Sequence, residues 1–148
     1  EDVYKLRDQF GLPGMNVLQF AFGDSVSFSN HSPHNHIRNS IVYTGTHDNN
    51  TTRGWYREKN GSHQEYLKKY IGRTVREEEV SSLLCRMAYA SVADIVIIPV
   101  QDVLGLDEKA RINTPSSTAD NWGWRLEKQI AGDPEKKLRL WTKIYNRV

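Results

Sequence analysis

Several of the commonest routes to a function are missing from this sequence. It has one cysteine, Cys85, in 148 residues, so no intramolecular disulfide can form and no CxxC metal or redox pair exists. Cys85 lies inside an apolar helical pattern and reads as an inert buried thiol. No stretch reaches the roughly 18 consecutive apolar residues of a membrane-spanning helix. The opening Glu1-Asp2-Val3-Tyr4-Lys5 lacks the basic start and apolar core of a signal peptide. A soluble, cytoplasmic protein without a membrane partner is the default expectation. Charge of one sign is missing too: 20 basic and 18 acidic residues are mixed along the chain, giving +2, without the basic stripe of a nucleic-acid binder. Walker, GxGxxG, GxSxG and HExxH signatures do not occur, so the sequence implies no cofactor and no metal. Neither an internal repeat nor an evident linker interrupts the chain, and residues 1–148 are expected to form a single domain.

What is present suits a globular core: 38% apolar residues and four tryptophans. Three short runs have the composition of buried strands, Val17 to Phe22, Ile41 to Thr46 and Ile95 to Val100. Helical spacing is clearest over Glu77 to Val92, where Val80, Leu83, Leu84, Met87 and Ser91 would share one face. Thr74-x-x-Glu77 and Ser62-x-x-Glu65 read as capping boxes, the second opening a helix with Tyr66, Leu67, Tyr70 and Ile71. Asp133-Pro134-Glu135 reads as the start of a last helix, with Asp133 as its N-cap and Leu138, Trp141, Ile144, Tyr145 and Val148 near one face. Strands separated by helices indicate an α/β fold with parallel strands. The first two strands are joined by the loop Gly23 to Ser40, rich in Ser, His and Asn, long enough to suspect function.

The second strand runs into Gly45 to Trp55, a dense polar segment at a strand-to-helix junction, where sites collect in parallel α/β folds. If the strand continues that far, Thr44, Thr46 and Asp48 share one face. Asp48 or Asn50 can equally be the cap of the next helix. Three imidazoles, His31, His34 and His36, fall within six residues, but their spacing matches no fixed metal framework, and loop histidines are the simpler account. Trp55, Trp122 and Trp124, with Asn113, Asp120 and Asn121 nearby in sequence, combine flat apolar faces with hydrogen-bonding groups, which suits a sugar. Core packing is the alternative for each, and Trp124 also fits a helix face with Leu126 and Ile130.

Together these residues resemble a known family. Gly11-Leu12-Pro13-Gly14-Met15, Val17 to Phe22, Pro33-His34-Asn35 and Val42-Tyr43-Thr44-Gly45-Thr46-His47-Asp48-Asn49, with Thr51-Thr52 and Gly54-Trp55, resemble in order the 4-alpha-glucanotransferases of amylomaltase type. The likeness continues through Gln101-Asp102-Val103-Leu104-Gly105-Leu106, Arg111-Ile112-Asn113-Thr114-Pro115 and Asn121-Trp122-x-Trp124-Arg125-Leu126. The resemblance implies the C-terminal part of a (β/α)8 barrel, its sixth to eighth strands, where a whole barrel takes about 250 residues. It implies transfer of alpha-1,4-glucan segments between maltooligosaccharides through a covalent glycosyl-enzyme.

By the same resemblance Asp48 corresponds to the family's third carboxylate, a transition-state stabiliser, and His47 to its substrate-binding neighbour. Phe20, Asp24 and Asn113 match substrate-contacting positions, and Trp55 joins them as an aromatic at the site edge. The nucleophilic Asp and the acid/base Glu are expected upstream of Glu1, so this chain alone is expected to be inactive. Glu1-Asp2 resembles the family's Glu-Asp-Leu-Gly, but Val3-Tyr4 follows, and the pair reads as the first turn of a helix. Ser116 stands where the family often has Gly, and Asn50 where Asp is common. The alternative expectation is a non-catalytic carbohydrate-binding module, or one that self-associates through an open barrel edge.

Overall fold

In the computed structural model, which describes residues 2–59, 61–127 and 129–147, the second and third apolar runs each yield a strand shorter than the run, and the first meets a strand only at Val17. The strands are β1 (Gly14–Val17), β2 (Ser40–Tyr43) and β3 (Ile95–Ile97). The first departs most from expectation, because a 3-10 turn, Leu18–Phe20, replaces the extended chain after Val17. Leu18, Ala21 and Phe22 are all fully buried, and their i, i+3, i+4 spacing is that of a helical turn, so the run follows the other period. β2 stops at Tyr43, beyond which the Thr44 carbonyl accepts from Gln19 N–H at 3.2 Å and the Thr44 hydroxyl donates to Asp102. β3 stops ahead of Pro99, which has no N–H for a ladder and precedes the one-turn helix at Val100.

The three strands form one parallel sheet in the order β1-β2-β3. Helix α1 (Asp2–Gln9) precedes β1. Helices α2 (Thr52–Glu58), α3 (Gly61–Ile71) and α4 (Glu77–Ala90) lie between β2 and β3, and α5 (Val100–Val103) and α6 (Asp133–Ile144) follow. Asp2 is in the first turn of α1 as expected; Glu1 lies outside the described residues.

Neither expected capping box forms. The N-cap of α4 is Arg76, whose backbone N–H donates to Glu79 at 2.9 Å. Starting there lets Val75 and Val80, just before and inside the helix, both enter the core. Glu77 is thereby free to accept from Arg53 (2.9 Å) and Arg57 (2.5 Å). Those guanidiniums, Arg57 above all, hold its carboxyl down at about 2. Ser62 and Glu65 both lie within α3, where Glu65 pairs with Lys68. Helix α6 is capped by Gly132, with Asp133 as its first residue. Trp141 buries against Tyr89, their ring centres 5.7 Å apart, whereas Ile144 is exposed and Val148 is outside the described residues. Among the described residues no helix covers 122–127 or 129–131; Trp124 instead lines a cavity with Leu104, Leu106 and Leu126.

Residues paired in a parallel ladder share a face. Asn16, Val42 and Val96 are such a row, and Val42 is buried with Phe22, Leu84 and Ala88 in the core that the helices close. On the opposite face, formed by the rows Met15, Ile41, Ile95 and Val17, Tyr43, Ile97, Val17 is buried but Met15 is 53%, Ile95 49% and Ile97 45% exposed. Helix α1 buries none of its residues. A sheet with one helix-covered face, one bare apolar face and two unpaired edges is a sector of a barrel seen with its lumen open.

Candidate functional site

The polar segment after β2 is built as a tight turn. Asn49 Oδ1 accepts from the Thr46 backbone N–H (2.9 Å) and hydroxyl (2.8 Å), which leaves His47 and Asp48 at the tip, each with 53% of its side chain exposed. The strand has already ended, so Thr44, Thr46 and Asp48 do not share a strand face. Nor does Asp48 or Asn50 cap α2: Thr51 does, its hydroxyl oxygen accepting from Gly54 N–H at 3.1 Å. Close packing constrains the segment. A Cβ on Gly45 would lie 2.6 Å from Gln19 Nε2, and one on Gly54 would lie 2.5 Å from Asn50 Oδ1. Both neighbours are pinned, since Gln19 donates to the Asn50 carbonyl (2.9 Å) and Asn50 to Glu58 (2.5 Å).

Asp48 is held from the side of β3. Asn113 donates to its Oδ1 at 2.6 Å. Arg111 donates to the Asp48 carbonyl (2.9 Å) and to the Asn113 carbonyl (2.8 Å), tying the two loops together. Oδ2 faces His47 Nε2 at 3.4 Å, beyond a good hydrogen bond. One carboxylate oxygen is therefore fixed and the other remains open to a ligand. The Trp122 ring stands 5.3 Å from that of His47 and is exposed. Beside them a cavity of about 360 Å³ is bordered by Gln19, Phe20, Asp48, Trp55, His63 and Arg111, among others.

The structure thus brings Phe20, Asp48 and Trp55 around one cavity, with Asn113 and His47 attached through Asp48. Phe20 is exposed, with its ring edge-on to His31 at 5.4 Å. Trp55 is a core residue, 4% exposed and packed beside Phe22 and Tyr56. Its Nε1 and the nearby Gln19 Oε1 have no protein partner. Asp24 does not border that cavity; its carboxylate bonds Tyr66 and holds that phenol above its ordinary 10.0. The sequence reading missed Gln19, whose signal was an amide inside an apolar run, and gave Arg111 no role.

The long loop after β1 uses its histidines inwardly. His31 Nδ1 accepts from Val17 N–H (3.1 Å). His36 bonds the His31 carbonyl through Nε2 (3.0 Å) and the Ser91 hydroxyl through Nδ1 (2.7 Å). His34 bonds the Tyr70 hydroxyl (3.1 Å) and the Ser27 carbonyl (3.2 Å). Burial depresses His31 and His36 below 6.5. Among the described residues no group of three or more His, Cys, Asp or Glu could hold a metal ion, and no helix is long and apolar enough to cross a membrane. Burial pushes the Cys85 thiol well up, and nearby Asp102 adds to the shift. A larger cavity, about 640 Å³, opens at the amino end of β3. There the Arg147 guanidinium is engaged by the carbonyls of Tyr89, Ser91 and Ala93, and the lining carboxylate is that of Asp94, which lies between Ala93 and β3.

Comparison with known proteins places the chain in a family. The family model for 4-alpha-glucanotransferase, glycoside hydrolase family 77, matches residues 1–130. The chloroplastic/amyloplastic 4-alpha-glucanotransferase of Solanum tuberosum is 45% identical over 152 residues, covering 100% of this chain and 26% of the relative. The 4-alpha-glucanotransferase of Thermus thermophilus is 47% identical over 147 residues, covering 94% of this chain and 29% of the relative. The solved structure of amylomaltase from Streptococcus agalactiae in complex with acarbose matches with a TM-score of 0.90 at 33% identity, covering 99% of this chain and 30% of that one. The chain spans between a quarter and a third of these relatives, with the fold of three parallel strands and flanking helices set out above. On the family match and the likeness along its whole length, the chain belongs to the 4-alpha-glucanotransferase family.

Proposed function

We propose that these residues form one side of the active site of a 4-alpha-glucanotransferase that moves alpha-1,4-glucan segments between maltooligosaccharides. The observation that carries the reading is Asp48: an exposed carboxylate beyond the carboxyl end of β2, with one oxygen fixed by Asn113 and the other 3.4 Å from His47 Nε2. In a retaining transfer, a nucleophilic carboxylate attacks the anomeric carbon while an acid protonates the leaving oxygen. An acceptor sugar hydroxyl then displaces the enzyme carboxylate. Positive charge builds on the ring in the transition state of each step. Asp48 is suited to stabilise that charge and to accept from ring hydroxyls, because it is already oriented and needs no rearrangement as the charge develops.

His47 offers a second polar contact beside it. Phe20 and Trp122 offer apolar faces for a sugar ring. Asn113 keeps Asp48 in place and contacts the same ligand. Trp55 and Gln19 form the cavity wall, with Trp55 Nε1 and Gln19 Oε1 buried behind it, and Asp24 with Tyr66 forms the outer rim. The nucleophile and acid/base are assigned to the remaining strands of the barrel, which would also cover the bare face around Met15, Ile95 and Ile97. On this reading the 148 residues by themselves have no transferase activity.

The test is disproportionation of maltotriose by the protein extended to the length of its relatives, beside the 148-residue chain. Activity is expected only in the extended protein, and Asp48→Asn there should lower it by roughly 10²–10³-fold. Turnover by the short chain would overturn the division of the site. Maltooligosaccharide binding without turnover in the extended protein would favour a carbohydrate-binding module instead. Light scattering on the short chain shows separately whether its bare face drives self-association.

A further inference from the structure

Gln101 and Asp102 sit in α5, just beyond β3, and both side chains are buried; Asp102 is 2% exposed. Neither borders the cavity beside Asp48, yet both are bonded to the loops that meet there. Asp102 Oδ2 accepts from the Thr44 hydroxyl at 2.5 Å and the Thr52 hydroxyl at 2.8 Å, while Oδ1 accepts from Thr52 N–H at 2.7 Å. Thr44 follows the last residue of β2, and Thr52 is the first residue of α2. One carboxylate therefore clips both roots of the seven-residue segment that carries His47 and Asp48. Gln101 Nε2 donates to the Ala110 carbonyl at 3.2 Å, immediately before Arg111. The adjacent pair thus fixes the root of each loop, and the tips meet where Arg111 and Asn113 bond Asp48.

We propose that Asp102, assisted by Gln101, is the positioning residue of this site, setting where the Asp48 carboxylate stands without touching the sugar. A carboxylate buried this deeply is costly unless fully hydrogen-bonded. Its three bonds all go to the two ends of a single loop. Freeing either end lets the tip shift, and displacement of a reacting group by about 1 Å costs on the order of 10²-fold in rate. The inference rests on the reading of Asp48 as a site carboxylate.

The test uses the protein at the length of its relatives, with kcat, KM for maltotriose, acarbose affinity and melting temperature measured for each variant. Asp102→Asn keeps an acceptor for Thr52 N–H and replaces the oxygen shared by the two hydroxyls with a donor. It is expected to lower kcat by about 10–100-fold while KM changes by less than about threefold. The same substitution in an Asp48→Asn background is expected to change acarbose affinity by less than about twofold, although it weakens binding clearly when Asp48 is present. Thr44→Val, a milder change of similar shape, should lower kcat by about 3–10-fold with the same dependence on Asp48, and it decides the matter if Asp102→Asn fails to fold. Equal losses in both backgrounds, or a fall in melting temperature with kcat unchanged, overturn the positioning role alone. Unchanged kcat in Asp48→Asn itself overturns the reading of the site, and this inference with it.

Discussion

Two polar loops leave the carboxyl ends of neighbouring strands, and similar residues serve different ends in each. In the loop after β1, His31, His34 and His36 direct their ring nitrogens to backbone and hydroxyl partners of the protein itself. In the loop after β2, His47 and Asp48 project from a turn that Asn49 closes, leaving hydrogen-bonding capacity unspent. A dense run of His, Asn and Ser therefore marks either a stapled loop or a binding site. The distinction lies in whether the donors and acceptors are already used.

Several measurements would break or sharpen that contrast. The largest effect expected is on transfer: in the protein at the length of its relatives, His47→Ala should lower kcat/KM by about 10–100-fold, the worth of a strong hydrogen bond. His34→Ala should change it by less than about twofold, since that ring bonds only its own loop and Tyr70. Comparable losses from both variants would erase the distinction between the loops. The next effect is on stability. His36→Ala leaves the Ser91 hydroxyl and the His31 carbonyl without their buried partner and should destabilise by about 1–3 kcal/mol in denaturant titration, with kcat retained.

Acid sharpens the comparison further. Burial depresses His31 and His36 below 6.5, so the folded state favours their neutral forms. Their contribution is full above 6.5 and is lost as pH falls through the lower folded values. Hydrogen exchange across residues 23–40 should therefore accelerate first below that pH. Glu77 responds later: its stabilising effect is present above 4.5 and lost as pH falls towards about 2, where Arg57 and Arg53 hold it. Simultaneous loosening of the loop and of the α2–α4 contact would show that the two are not independent. The smallest effect concerns the loop that carries Asn113. Ser116 has φ 65°, a left-handed conformation that disfavours a side chain, so Ser116→Gly should raise stability by at most about 1 kcal/mol in thermal unfolding.

Much of the frame was legible beforehand. The apolar runs around Val42 and Val96 marked parallel strands, and the spacing of Val80, Leu83, Leu84, Met87 and Ser91 marked α4, because burial on one face imposes a period that survives in the sequence. The run Val17 to Phe22 misled because apolar composition alone does not separate a strand from a buried turn. Both boxes before α3 and α4 misled for a related reason. Capping pairs offer local bonds worth about 1 kcal/mol, less than burying Val75. Asp48 and His47 stood out through their place after a strand, while Arg111 and Asp102 did not, since they act on residues fifty or more positions away.

By itself the sequence determined the family, through motifs that resemble it in order, and the parallel α/β frame, the buried state of Cys85 and the polar segment that bears His47 and Asp48, through local composition and periodicity. Only the tertiary structure decided which polar groups were already satisfied, that Thr51 rather than Asp48 caps α2, and that Asp102, Arg111 and Asn113 converge on the Asp48 loop. Those outcomes depend on contacts between segments distant in sequence, and a hydrogen bond acquires its partner only when the chain has folded.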